Sequence, residues 1–467
     1  YRDSVAYGLI CRHHHNDDYK GVVERAGLLE TDKALIDEWG GLDPFDKGLY
    51  GSTEMFVDGF LQLYKNGIMK RRCYDNIHIQ RLVHDEVIKD GVVTPSALVA
   101  LIKNKSIHRK MKQREFDMLL EFGVFRAGLV YDNGFIVDGD KRYSVDFNSA
   151  DNIKAVAQNC MGDKLKHGYW IHAGFYVGPE DFYESVRAMS DEERRMINMT
   201  SVLNVNQLYA NNKYIDQDLK ILHRKNGRFI NAGLMATLTG AVVSDALENG
   251  KVVSGVGGQY NFVAHSQILD DGRGILMIRS TRGEGKNAVS NIVFNYGHTT
   301  VPRHLRDIIV TEYGIADIRA RSDKEIAMRM INIADSRFQE GLLAKAKAAG
   351  KIPSSYTIPD RFRNNNPEKL EKILAPARAK GLFPAFPFGT DFTPDEIVLG
   401  KALRTFKAVA EESKFAVIKA LASSWFSPAP DSAKKYLERM RLDKPENNKE
   451  KLMQKVVVNA LKMTGAI

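Results

Sequence analysis

The chain has 467 residues, 44% of them apolar and 27% charged, a globular composition that excludes wholesale disorder and collagen-like structure. Three cysteines, Cys11, Cys73 and Cys160, lie far apart and form no CxxC, which argues against a disulfide scaffold or zinc ribbon and points to a reducing, cytoplasmic compartment. The surplus of 67 basic over 58 acidic residues gives a formal charge of +9, a weak preference for anionic ligands. The apolar runs, such as Ala97 to Ile102, are too short to cross a membrane, and no charged-then-apolar leader opens the chain at Tyr1.

Four zones follow in order. Residues 1–75 alternate helix and loop. Asp3 can cap a helix through Val5, Leu9 and Ile10, and Met55, Phe56, Phe60, Leu61 and Tyr64 recur at helical spacing before Gly67. Residues 76–165 change character and read as an α+β insertion. Thr94-Pro95 opens a helix through Ile102, and Phe135–Val137 and Tyr143–Val145 flank a turn at Asp138-Gly139-Asp140.

Residues 166–350 hold short β-branched runs at 251–254, 275–278, 292–294 and 308–311, with helical patterns that include 324–349, closed by Gly350. That alternation predicts an α/β core with a mostly parallel sheet. Residues 351–467 begin with scattered prolines and continue as helical segments over 394–422, 431–442 and 449–464, read as a helical extension.

Chemistry could sit in a few places. Gly255-Val256-Gly257-Gly258 follows one of these strands, and its glycines allow close backbone approach to an anion or a developing oxyanion; a plain tight turn reads equally well. Thr53 can cap the helix after it, which would set Glu54 in the first turn, where the helix dipole favours a carboxylate; an ordinary capping or solvated glutamate has the same pattern. Glu312, at the end of the strand 308–311, is a second candidate carboxylate, alongside the reading of a satisfied structural group. His13-His14-His15 lack metal-ligand spacing, Ser280–Lys286 departs from a P-loop at both ends, and no basic-aromatic module for nucleic acid is present.

Three motifs occur in order: Ser52-Thr53-Glu54-Met55 with Asp58-Gly59; Gly255-Val256-Gly257-Gly258 with Phe262; and Val310-Thr311-Glu312-Tyr313-Gly314 running on to Arg319. Together they resemble the acetyl-CoA hydrolase/transferase family over about 1–75 and 166–340, in its C-terminal half. The resemblance implies a CoA-transferase-like open α/β domain and a family N-terminal half that the sequence from Tyr1 does not match. It makes Glu54 the nucleophile, and Gly255, Gly257 and Gly258 the loop that binds coenzyme A and helps form the oxyanion hole.

The implied partners are an acyl-CoA and a small carboxylic acid, with coenzyme A as substrate, no metal, no nucleic acid, no membrane and a homo-oligomeric assembly. Turnover would run through a glutamyl-CoA thioester. Two other readings stand beside it: a non-catalytic CoA-binding or assembly module, and a nucleotide-dependent oxidoreductase, which the lack of GxGxxG opposes.

Overall fold

The computed structural model describes residues 2–209, 211–212, 215–283 and 285–467. The chain forms a mixed α/β protein and divides into two compact units, one made of residues 1–231 and 254–275, the other of 232–253 and 276–467.

The first unit holds a three-stranded parallel sheet of β1 (Gly51–Phe56), β2 (Ile171–Tyr176) and β3 (Ile197–Met199), with β2 in the centre. The segment read as the start of a helix is therefore β1. Gly51 pairs with Ile171 and Phe56 with Tyr176, and the helix α1 begins only at Asp58 and runs to Lys65. The Thr53 hydroxyl donates to the Met55 carbonyl at 3.0 Å and caps nothing. The helical spacing holds for Phe60, Leu61 and Tyr64, whereas Met55 and Phe56 belong to the strand, where sheet pairing overrides the local pattern. Phe56 packs on Trp170, Tyr176 and Phe182, and Tyr64 stacks on Trp170 at 4.6 Å. At the N-terminus the helix spans Arg2–His14, with Asp3 inside it, not at the position before it.

The stretch between β1 and β2 folds around its own apolar core, including Ile79, Leu98, Leu101, Phe116, Leu119, Phe125 and Phe147. The predicted turn at Gly139 joins Phe135–Asp138 to Lys141–Ser144. A third strand, Val130–Asp132, precedes them across an Asn133-Gly134 turn in which both residues have positive φ. That is the turn chemistry a right-twisted two-residue hairpin needs. The predicted helix after Thr94 spans Pro95–Lys103.

After β3 come three helices that matter for the site: α2 (Val202–Asn206), α3 (Gln217–His223) and α4 (Gln259–Ile268). Gly258 is the N-cap of α4. The run 251–254, read as a strand, makes only an isolated bridge from Val252 to Ala246. Val252 and Val253 are exposed, so no burial rewards a ladder there.

In the second unit β4 (Ile308–Thr311) and β5 (Gly314–Asp317) form an antiparallel hairpin. The pattern over 324–349 is two helices, α5 (Asp323–Asn332) and α6 (Ser336–Ala348). Asp335 breaks it: fully buried, it accepts from the Arg337 N–H as the cap of α6 and holds the Arg337 guanidinium through both carboxylate oxygens at 2.9 Å. Asn365 satisfies the carbonyls of Asn332 and Ala334 freed by the break. Residues 351–467 include α7 (Pro394–Glu412), α8 (Lys414–Ser424) and α9 (Asn448–Met463), with further helices at Pro367–Arg378 and Lys434–Arg439, and an apolar cluster there includes Leu399, Phe406, Tyr436, Leu437 and Leu461. Among the described residues no helix is long and apolar enough to cross a membrane.

Because Asp335 is both cap and buried ion-pair partner, Asp335→Ala is expected to lower the unfolding free energy by about 2 kcal/mol or more, with Asp335→Asn losing less. Denaturant melts of the two variants measure this.

Candidate functional site

Three segments of the first unit, far apart in sequence, meet at the Glu54 side chain. Glu54 sits in the middle of β1 and is half-buried. Its Oε2 accepts a short hydrogen bond from the backbone N–H of Gly258 and a second, at 3.3 Å, from the side-chain amide of Asn206. Among the described residues Oε1 accepts no hydrogen bond. The carboxylate is thus held by one oxygen and open at the other.

The approach requires glycine. Gly257 has φ +56°, and a Cβ there would stand 3.0 Å from Glu54 Oε2. A Cβ on Gly258 would lie 2.5 Å from Asn206 Oδ1, and one on Gly174 would lie 2.9 Å from the Glu54 carbonyl. The N–H of Gly258 also stands at the N-terminus of α4, where unpaired N–H groups and the helix dipole favour negative charge. Gly255 and Gly257 are exposed and Gly258 is buried.

The structure therefore brings Glu54, Gly257 and Gly258 together, and adds Asn206. Nothing in local composition marks Asn206, because its role arises only from a contact across 152 residues. Its Oδ1 is buried and has no hydrogen-bond partner among the described residues. Glu312, the second candidate carboxylate, lies in the other unit at the β4–β5 turn. There it accepts from the N–H and hydroxyl of Ser280, both at 2.9 Å, and lines a cavity of about 340 Å³ with Arg279, Arg282 and Lys407.

The backbone around Asn206 rests on buried cations. Lys220 donates to the carbonyls of Asn204 and Gln207, the latter at 2.9 Å. Arg224 donates to the carbonyl of Val205 at 2.6 Å, and its other nitrogen lies 2.7 Å from His265 Nδ1. His265 Nε2 in turn accepts from the Leu208 N–H at 3.0 Å. All three side chains are buried. Burial, followed by Arg224, brings Lys220 down to about 8. Burial brings Arg224 down to about 10, and burial with the two neighbouring cations brings His265 to about 3, so the imidazole stays neutral.

Beside this lies the one group suited in donor type to a metal among the described residues: Asp75, His172 and His223, with one ligand atom from each within 4.8 Å of the others. Protein partners already occupy most of these atoms. Tyr50 OH and Asp75 Oδ1 take the two nitrogens of His172 at 2.8 and 2.9 Å, Asn198 donates to Asp75 Oδ2 at 2.7 Å, and His223 Nε2 bonds the Tyr74 carbonyl at 2.9 Å. A cation would have to displace the His172–Asp75 bond, and the cluster is accounted for as a closed hydrogen-bond network. Cys73, buried nearby, is pushed up to about 12 by burial, too high for thiolate chemistry.

Burial, then the neighbouring His172, depresses His223 to about 4. An unfolded histidine takes its proton near 6.5, so the unfolded chain binds a proton that the folded one refuses. The contribution is complete above about pH 6.5 and is lost as pH falls toward 4. Thermal melts from pH 7 to 4.5 are expected to show falling stability, and His223→Gln to flatten that dependence.

A family model described as the acetyl-CoA hydrolase/transferase C-terminal domain matches residues 178–346. That range includes Asn206, Gly257, Gly258 and Glu312, while Glu54 lies outside it. The 4-hydroxybutyrate coenzyme A transferase of Clostridium kluyveri is 33% identical over 135 residues, 29% of this chain and 31% of that protein. The succinyl-CoA:cyclohexane-1-carboxylate CoA transferase of Geobacter metallireducens is 31% identical over 142 residues, 30% of this chain and 32% of that protein. Among solved structures, RipA from Yersinia pestis shares 29% identity, covers 39% of this chain and 38% of that one, and has a TM-score of 0.31. The matched region thus spans about a third of the length of these curated relatives.

Proposed function

We infer, from the match of residues 178–346 to the acetyl-CoA hydrolase/transferase C-terminal domain, that this chain acts in transfer of coenzyme A between an acyl-CoA and a carboxylic acid, with Glu54 as the covalent nucleophile. The observation that carries the reading is the one-sided hold on the carboxylate: two donors on Oε2 and none on Oε1.

The chemistry follows from that asymmetry. Oε1 attacks the thioester carbonyl, the C–S bond breaks, and CoA leaves as thiolate, with a mixed anhydride of Glu54 and the acyl group remaining on the enzyme. The thiolate then attacks the glutamyl carbon. The negative charge of that tetrahedral intermediate develops on Oε2, which already accepts from Gly258 and Asn206. Such donors, aimed at the oxygen before the charge appears, act as an oxyanion hole without reorganisation. Collapse breaks the bond to the bridging oxygen, which departs with the free acid and leaves glutamyl-CoA thioester on the enzyme. An incoming carboxylate reverses both steps, with CoA returning to the new acyl group.

In this scheme the Gly258 N–H serves the glutamyl oxyanion, and Gly255 and Gly257 allow the pantetheine arm to approach. Water in place of the carboxylate would turn the same intermediate to hydrolysis, and exclusion of water decides between the two outcomes.

Glu54→Gln is expected to abolish acyl-CoA:carboxylate exchange, and Asn206→Ala to lower its kcat by about 10²–10³-fold, the usual effect of losing an oxyanion donor. Borohydride treatment after incubation with an acyl-CoA should reduce the glutamyl thioester to an alcohol at position 54, readable by peptide mass. Full exchange in Glu54→Gln would remove Glu54 from the mechanism. Coenzyme A binding with neither exchange nor trapping would favour a non-catalytic module.

A further inference from the structure

We propose that Lys220 and Arg224 are positioning residues for this reaction: the two buried cations clamp the backbone on either side of Asn206 and add positive potential behind the amide that holds Glu54.

The proposal rests on the assignment of Glu54 and on the hydrogen bonds around α2. Helix α2 is five residues long, too short to be stable alone, and Asn206 is its last residue. At that end the carbonyls of a helix have no partners within it. Here those of Asn204, Val205 and Gln207 are taken by Lys220 and Arg224, and the Leu208 N–H by His265. The backbone is therefore held on both sides of residue 206, while the Asn206 side chain is left to face Glu54.

The clamps come from elements that already shape the site. Lys220 and Arg224 are four apart on α3 and its C-cap, so they share one helix face. His265 lies on α4, whose N-terminal N–H is the other donor to Glu54. One short helix is thus tied to both neighbours through the same groups that fix Asn206.

Charge adds to geometry. A neutral side chain such as glutamine could donate to backbone carbonyls without the desolvation that two buried cations incur. Arg224 is 6% exposed and Lys220 7%. In a poorly solvated site such charges act over longer range than in water and favour negative charge on the oxygen that Asn206 touches. The charged groups acting on Lys220 are Arg224, which disfavours its proton, and Asp75, which favours it; Lys220 in turn acts on His265. The balance leaves the ammonium with a value of about 8, charged below that pH and neutral above it. The neutral amine still has two N–H groups for the two carbonyls, so a pH titration removes the charge and spares the clamp.

The test uses the full chain and compares wild type, Lys220→Met and Lys220→Arg in acyl-CoA:carboxylate exchange from pH 6.5 to 9.5. A second readout is the side-chain amide resonance of Asn206, identified by its loss in Asn206→Asp. Wild-type kcat is expected to fall as pH rises through about 8, with KM for acyl-CoA changing less than twofold, and the resonance to shift over the same range. Lys220→Met should lower kcat about tenfold below pH 8 and abolish both dependences. If Lys220→Met does not fold, Lys220→Arg decides: its charge persists, so the alkaline limb should move above pH 9.5. An alkaline limb still near 8 in Lys220→Arg, or a Lys220→Met enzyme of unchanged kcat, would overturn the proposal. Exchange absent from wild type while the resonance still titrates would instead overturn the Glu54 assignment and leave the positioning of Asn206 standing.

Discussion

Two N–H groups, one from the backbone at Gly258 and one from the Asn206 side chain, converge on a single oxygen of Glu54. Much of the first unit serves that convergence. A carboxylate in the middle of a strand has no helix of its own to hold it, so its donors must come from elsewhere. They come from the N-terminus of α4 and the end of α2, and both approaches depend on missing side chains. At Gly257 the backbone is left-handed, and at Gly258 and Gly174 any Cβ would collide with Asn206 or with β1 itself. Alanine at these positions fails for steric reasons before any question of chemistry arises.

The site lies beside an unusual concentration of buried polar groups. Lys220, Arg224, His265, His223 and His172 are all nearly inaccessible. Lys220 and Arg224 stay cationic near neutral pH, and His265 and His223 stay neutral. Polar groups are costly to bury, and such networks hold only when their members are satisfied. Here the satisfied groups are the loop carbonyls and N–H groups that a five-residue helix leaves open. The aromatic packing of Phe56, Trp170, Tyr176 and Phe182 meanwhile anchors β1 and β2. Apolar burial holds the strand and polar burial holds the side chains that meet it.

The sequence carried the α/β class, the Pro95 helix and the Gly139 turn, because hydrophobic spacing and turn chemistry are local signals. It also brought out Glu54 and the glycine loop, through motif order and resemblance. It misread the conformation at Glu54, since an apolar run that continues from strand to helix has no local marker for the change at Val57. The break at Asp335 was hidden for a related reason: without glycine or proline, only a buried aspartate paired to Arg337 ends one helix and starts the next. Asn206, Lys220 and Arg224 were not legible, because their significance is a matter of partners distant along the chain.

The central claim is that Glu54 keeps one oxygen fixed and spends the other. Isotope transfer tests it directly: the protein is cycled through many turnovers with acyl-CoA and a carboxylate carrying ¹⁸O on both oxygens, and the peptide containing Glu54 is then weighed. An oxygen held by Gly258 and Asn206 never becomes the bridging atom, so the account predicts a single ¹⁸O in the Glu54 carboxylate however long the reaction runs. Two ¹⁸O atoms would mean that the carboxylate turns over between cycles, and none, with exchange proceeding, that Glu54 never forms the anhydride; either result would contradict it.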